Sequence, residues 1–174
     1  VAWIRALEVV SNRLELCLAG IVPQQAAYAS PLTGSDVLLI AIYDHFTSVA
    51  RCRRGRIEWA RLASMGERDI VMSAVQSVGL RGRQADTMLN AFRAGNLTTD
   101  LDRVIANAFW TELKRWMRCI ADLVGEADQS GDVPTAIYVA DTTQRFPEAA
   151  MSLQEPYFED LLPFSQCPQV YVMQ

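Results

Sequence analysis

A chain of 174 residues, 51% hydrophobic and 21% charged, can bury one sizeable core and is too apolar to be disordered. Its net charge of −4 excludes a general polyanion binder, so any contact with nucleic acid has to come from a local patch. No apolar run reaches the ~18–20 residues needed to span a bilayer, and the start at Val1 has no basic segment ahead of an apolar one; the expectation is an intracellular protein of cytoplasm or nucleus, neither membrane-bound nor secreted.

Taken in chain order, residues 2–19 read as a helix, because Trp3, Leu7, Val10, Leu14 and Leu18 recur at threes and fours. Gly20 and Pro23 end it, and 21–34 reads as a linker holding Pro23, Pro31 and Gly34. Ser35 is a good N-cap, and the run Val37-Leu38-Leu39-Ile40-Ala41-Ile42 predicts a central core helix over about 36–52. Shorter helices are expected over about 57–65, 67–78 and 83–93, punctuated by Gly66, Gly79, Gly82 and Gly95. Asp100 and Asp102, just after Thr98 and Thr99, mark the start of the longest helix, which runs to about Val124. Its apolar stripe includes Leu101, Ile105, Phe109, Trp116, Ile120 and Leu123.

Residues 125–135 form a loop, and the character then changes. Ala136–Ala140 and Gln169–Met173 are β-like, with Pro147, Pro156, Pro163 and Pro168 breaking the chain between them. The expected fold class is mainly α: a single-domain bundle of five to six helices with a small C-terminal β element. Residues 1–130 would be the helical body, and 131–174 a proline-punctuated acidic segment packed on it.

The charges are unevenly placed. Between Arg51 and Arg83 lie eight Arg against Glu58, Glu67 and Asp69, a local net of +5. From Ile120 to Gln174 nine carboxylates face Arg145 alone, a net of −8. Arg51, Arg53, Arg54 and Arg56, at a predicted helix C-terminus, complement the helix dipole in one reading. In the other they grip nucleic acid or an acidic protein surface, because guanidinium matches phosphate and carboxylate as a planar fork. The acidic tail could also lie on this arginine-rich middle.

Val71 to Asn90 resembles the bacterial helix-turn-helix pattern in its apolar spacing. Ala74 and Val78 would face the core, Gly79 would take the left-handed turn position, and Ala85 and Met88 would pin the second helix. The resemblance implies base contacts from Arg81, Arg83, Gln84 and Thr87. An ordinary helical hairpin has the same outline.

Trp110 and Trp116 sit on the longest helix, either in the core or at a partner chain, and a homodimer or larger assembly through this helix is expected. Cys17, Cys52, Cys119 and Cys167 are widely spaced, with no metal-binding pattern, so reduced thiols and no metal or cofactor are expected. No nucleotide-binding or hydrolase motif occurs. His45 beside Asp44 is a candidate for chemistry, and a satisfied structural histidine explains it better, because adjacent residues on a helix point different ways. The leading reading is a non-enzymatic interaction or assembly protein whose arginine-rich middle contacts nucleic acid or an acidic partner. The alternatives are a helix-turn-helix regulator and an enzyme built around Asp44 and His45.

Overall fold

The computed structural model describes residues 5, 9, 10, 13, 24–29, 32, 35–81, 83–128, 131–141 and 146–173. The helix expected over 2–19 therefore lies largely outside the described residues. Within the expected linker, Gln24–Ala29 is a short helix, α1.

The largest departure from expectation begins at Asp36. Residues Asp36–Ile42 form a strand, β1, and Thr47–Arg53 a second, β2, where one long core helix was predicted. The cause is burial on both faces. A strand covered on one side alternates apolar and polar residues, whereas one covered on both reads as a continuous apolar run. Val37 through Ile42 are all buried, with Leu38, Ile40 and Ile42 on one face and Val37 and Leu39 on the other. The turn between the strands, Tyr43–Phe46, contains neither glycine nor proline; Tyr43 N–H donates to the Phe46 carbonyl at 3.0 Å, and the two rings stack 4.3 Å apart.

Arg54 and Gly55 have φ of 52° and 73°. Two consecutive positive φ values suit a two-residue type I′ hairpin, and the chain returns as β3, Arg56–Ala63. The helix expected over about 57–65 is thus also a strand. The register slips between Arg51 and Cys52 opposite β3, so Glu58 bulges out of the ladder.

Three helices follow, close to where the sequence places them: α2 (Glu67–Ser77), α3 (Arg83–Arg93) and α4 (Thr99–Ala127). The chain then adds β4 (Ala136–Asp141), the short helices α5 (Pro147–Ser152) and α6 (Pro156–Glu159), and β5 (Gln169–Met173). All strands belong to one sheet of order β3-β2-β1-β4-β5, with β1–β2 and β2–β3 antiparallel and β1–β4 and β4–β5 parallel. The helical bundle is therefore replaced by a mixed five-stranded sheet flanked by helices.

The core is two-sided. Leu38, Ile40, Ile42, Val49, Ile137 and Val139 meet Ile70 and Ala74 of α2, the buried stripe of α4 and Ala149 of α5. On the other face Val37, Leu39, Ala50 and Cys52 meet Tyr28, Ala29 and Leu32. Trp116 is fully buried in the first layer, where its indole N–H donates to Thr47 Oγ1 at 2.9 Å. The Thr47 hydroxyl donates onward to the Met65 carbonyl at 2.8 Å. This relay satisfies the buried indole N–H and ties α4, β2 and the connection into α2 together.

Candidate functional site

In sheets with parallel strands, ligands collect beyond the carboxyl ends of those strands, often at a helix N-terminus. Here the carboxyl end of β1 runs into the Tyr43–Phe46 turn, which lies against the start of α2. Glu67 N–H donates to the Tyr43 carbonyl and Arg68 N–H to the Asp44 carbonyl, both at 2.9 Å. Gly66 N–H donates to Asp69 Oδ2 at 3.1 Å, and His45 Nδ1 lies 3.6 Å from Asp69 Oδ1. A Cβ on Gly66 would stand 2.3 Å from the Tyr43 oxygen, so only glycine permits this contact. His45 thus pairs with Asp69 rather than with Asp44, and the leading amides of α2 are occupied by the turn.

Among the described residues, the carboxyl ends of β4 and β5 border open space. Between them and α5 lies a hollow of about 660 Å³, lined chiefly by Val139, Asp141, Phe146, Ala150, Met151 and Val172. Phe146 N–H donates to Asp141 Oδ2 at 2.8 Å, and Pro147 follows as a favourable first helical residue, so β4 directly positions α5. Met151 is 66% exposed and Val172 59%. On the far side of Met151 a smaller hollow of about 220 Å³ is bounded by Trp110, Leu113, Glu148 and Glu155. Asp141 lines the larger hollow, and Glu148 and Glu155 the smaller; Arg93 reaches Glu148 from α3, at 3.2 and 3.4 Å.

The arginine cluster of the sequence is taken apart. Arg51 is 2% exposed. Its Nε and Nη2 donate to the two oxygens of Asp36 at 3.0 and 2.8 Å, and Nη1 pairs with Asp128, whose side chain is 4% exposed. Glu58 stands 3.5 Å away, brought there by the bulge. Arg53 joins Asp36 at 2.9 Å and Glu58 at 3.1 Å. The Arg51 fork, donating to Asp36, holds that carboxyl below its ordinary range, and the carboxylates raise Arg51 in turn. Arg54 and Arg56 sit exposed at the β2–β3 turn. The cluster is a β-hairpin end, not a helix C-terminus, and its two inner members are locked in ion pairs.

Arg81, Arg83, Gln84 and Thr87 are exposed, and Thr87 Oγ1 donates to the Arg83 carbonyl at 2.9 Å. Gly79 has φ 82°. The surrounding helices nevertheless do not form the expected helix-turn-helix domain: α2 packs chiefly against α4, and α3 lays Met88, Leu89 and Phe92 on the same core, with Phe92 stacked 5.7 Å from Phe109. They are flanking helices of a sheet rather than a helix-turn-helix. Trp116 belongs to the core and offers no surface to a partner chain. Trp110 is half-buried, with Lys114 Nζ 5.5 Å from its ring centroid and 5.1 Å from that of Tyr157.

Among the described residues no group of three or more His, Cys, Asp or Glu could hold a metal ion, and no helix is long and apolar enough to cross a membrane. Cys52, Cys119 and Cys167 are not in disulfides; burial pushes the Cys52 thiol up to about 11. Cys17 lies outside the described residues. Sequence reasoning missed the β4–β5–α5 face. Its one signal was the neutral, β-branched run of β5 itself.

No protein-family model and no curated protein matches the sequence. Solved structures do match. Ethanolamine utilization protein EutJ from Carboxydothermus hydrogenoformans superposes with a TM-score of 0.62 at 18% identity, over 97% of this chain and 54% of EutJ. A PilM–PilN type IV pilus biogenesis complex matches at 0.50 and 15% identity, over 86% of this chain and 41% of that one. The activator of 2-hydroxyisocaproyl-CoA dehydratase from Clostridium difficile, with bound ADPNP, matches at 0.50 and 9% identity, over 97% and 74%. This chain therefore spans about half the length of EutJ and less of the pilus protein. These neighbours are actin-like ATPase-fold proteins, and at such identities the likeness shows the fold alone. That fold overturns the reading of the chain as a helical nucleic-acid-binding protein.

Proposed function

We propose that this domain is an assembly module on an actin-like ATPase fold, docking a partner protein at the face made by α5 and the outer edge of β5. One observation carries the reading: Met151 and Val172 stand 66% and 59% exposed around an apolar hollow of about 660 Å³ at the sheet edge. Contiguous exposed apolar surface rimmed by polar groups marks interaction sites. The match to a pilus biogenesis protein seen in complex with a second protein supports the same reading.

The test is a photo-crosslinking residue placed at Val172 in the intact protein in its own cells, with Arg83 as the control position. A discrete protein adduct from position 172, lost in Met151→Glu and not formed from position 83, is the expected result. No adduct, or one indifferent to Met151→Glu, overturns the reading.

A second reading places an adenine nucleotide in the same hollow. It is favoured by the hollow's position at the carboxyl ends of two parallel strands and by a volume within the ~300–1,000 Å³ usual for small-molecule sites. One structural neighbour holds ADPNP. Against it stand the carboxylate of Asp141 and the occupied amides of α2, which leave few donors for phosphate. Calorimetric titration with ADPNP separates the two: saturable heat that Val172→Asp abolishes supports the nucleotide, and none at millimolar concentration retires it.

A further inference from the structure

The geometry points to a sheet whose switch point is closed to nucleotide phosphate, its β1–β2 turn serving instead as an internal cap for α2. This goes beyond the assembly reading and stands on different residues: β1 lies two strands from β5 in the sheet order. Nucleotide would then not gate docking through this turn.

β1 and β4 are parallel neighbours, paired as far as Ile42↔Asp141. From β1 the chain moves outward to β2 and β3, and from β4 it moves outward the other way to β5. The strand order therefore reverses between the carboxyl ends of β1 and β4, the crevice where sheets of this kind hold ligands. A phosphate there is gripped by free backbone N–H groups. They come from a helix N-terminus, or from a turn whose successive amides converge through a left-handed residue.

Neither source is open. Tyr43, Asp44, His45 and Phe46 include no glycine and no positive φ, so the turn forms no amide nest. The Tyr43 N–H donates across the turn to the Phe46 carbonyl at 3.0 Å. The start of α2 is spent on the same turn. Glu67 N–H donates to the Tyr43 carbonyl and Arg68 N–H to the Asp44 carbonyl, each at 2.9 Å, and Gly66 N–H donates to Asp69 Oδ2 at 3.1 Å. Each amide has one proton to give, so a phosphate oxygen would have to evict a protein acceptor from every one.

Space is closed as well. A Cβ on Gly66 would stand 2.3 Å from the Tyr43 oxygen and 2.5 Å from the Phe46 nitrogen, so turn and helix are in backbone contact with no gap for an anion. Two carbonyls and the Asp69 carboxylate meet the positive end of α2, as a bound anion otherwise would. On the β4 side of the crevice, Phe146 N–H is committed to Asp141 Oδ2 at 2.8 Å.

Hydrogen exchange of the 174-residue protein, with and without millimolar Mg–ADPNP, tests the closure. Without nucleotide, the Glu67 and Arg68 amides should exchange at least about tenfold more slowly, relative to their intrinsic rates, than Asp100 and Leu101 at the exposed start of α4, because first-turn amides lack an intrahelical acceptor. With Mg–ADPNP, exchange across 43–46 and 66–69 should not change.

Equal rates at the two helix starts overturn the inference, since the amides of α2 would then be open. Slowing at 43–46 or 66–69 on addition of Mg–ADPNP overturns it too. Saturable heat that Val172→Asp abolishes, with exchange at the turn unchanged, would put the nucleotide in the β4–β5 hollow and leave the switch point closed, as inferred. The crosslink from position 172 reports on the docking face alone, so failure of the assembly reading and failure of this one are seen separately.

Discussion

The sheet has one corner where charged side chains are drawn into the interior and one edge where apolar side chains stand in solvent. At the first, Arg51 lies beneath the end of α4, held by Asp36 and Asp128 with Glu58 nearby. At the second, β5 presents Tyr171 and Val172 to solvent beside a largely apolar hollow. An arginine-rich stretch draws attention as a contact surface, yet its most central member is an interior strut. Contact potential lies instead where apolar side chains remain outside and a strand remains half-paired. Charge density in sequence and charge available in space are different quantities.

The contrast can be broken most forcefully at Arg51. Arg51→Ala removes the ion pair to the buried Asp128 side chain and both bonds to Asp36, and should cost about 3–5 kcal/mol in chemical denaturation. A cost below about 1 kcal/mol would demote the network to an ordinary surface ion pair.

Gly66→Ala comes next. Its Cβ would meet the Tyr43 carbonyl at 2.3 Å, so the turn must move off α2, at about 1–3 kcal/mol. The loss should appear as faster amide exchange at Glu67 and Arg68.

The acid branch of the stability curve sharpens the comparison further. Asp36 is held below its ordinary carboxylate range chiefly by the Arg51 hydrogen bonds. Its unfolded form binds a proton first, so its contribution is complete above the ordinary carboxylate value of about 3.9. It is lost as pH falls through the lowered folded value. Asp36→Asn should flatten that limb and leave the slope between pH 6 and 8 unchanged.

The smallest expected effects lie at the open edge. Met151→Glu and Arg83→Ala, both at exposed sites, should change stability by no more than about 0.5 kcal/mol. Only Met151→Glu should alter partner capture. A large destabilisation by Met151→Glu would mean that the hollow is part of the core rather than a docking face.

What could be read from the sequence divides at Gly66. Beyond it, α2, α3 and α4 begin and end near their predicted limits, because each has an amphipathic period and acidic or glycine punctuation. β4 and β5 were legible as β-like runs. Before it, Val37–Ile42 is buried on both faces, so no alternation survives to distinguish strand from helix. Gly55 is ambiguous in the sequence: a left-handed glycine after an apolar run ends a helix as readily as it makes a hairpin. The arginines were visible, but their partners were not. Asp36 lies 15 residues from Arg51 and Asp128 lies 77 away, and only the strand pairing and the length of α4 unite them.

That length has a mechanical consequence. A helix of 29 residues is a beam of about 43 Å at 1.5 Å per residue. Among the described residues, its directional fastenings to other elements include the Trp116 bond to Thr47, the Arg118 bond to the Tyr157 hydroxyl and the Asp128 pair with Arg51, all at or beyond Trp116. Ile105 and Phe109, in its first half, are held by packing, which resists separation but not rotation. α4 is thus built as a cantilever, clamped over its second half and held by packing toward the Thr99 end. Its amides should exchange in a gradient that slows from Thr99 toward Trp116.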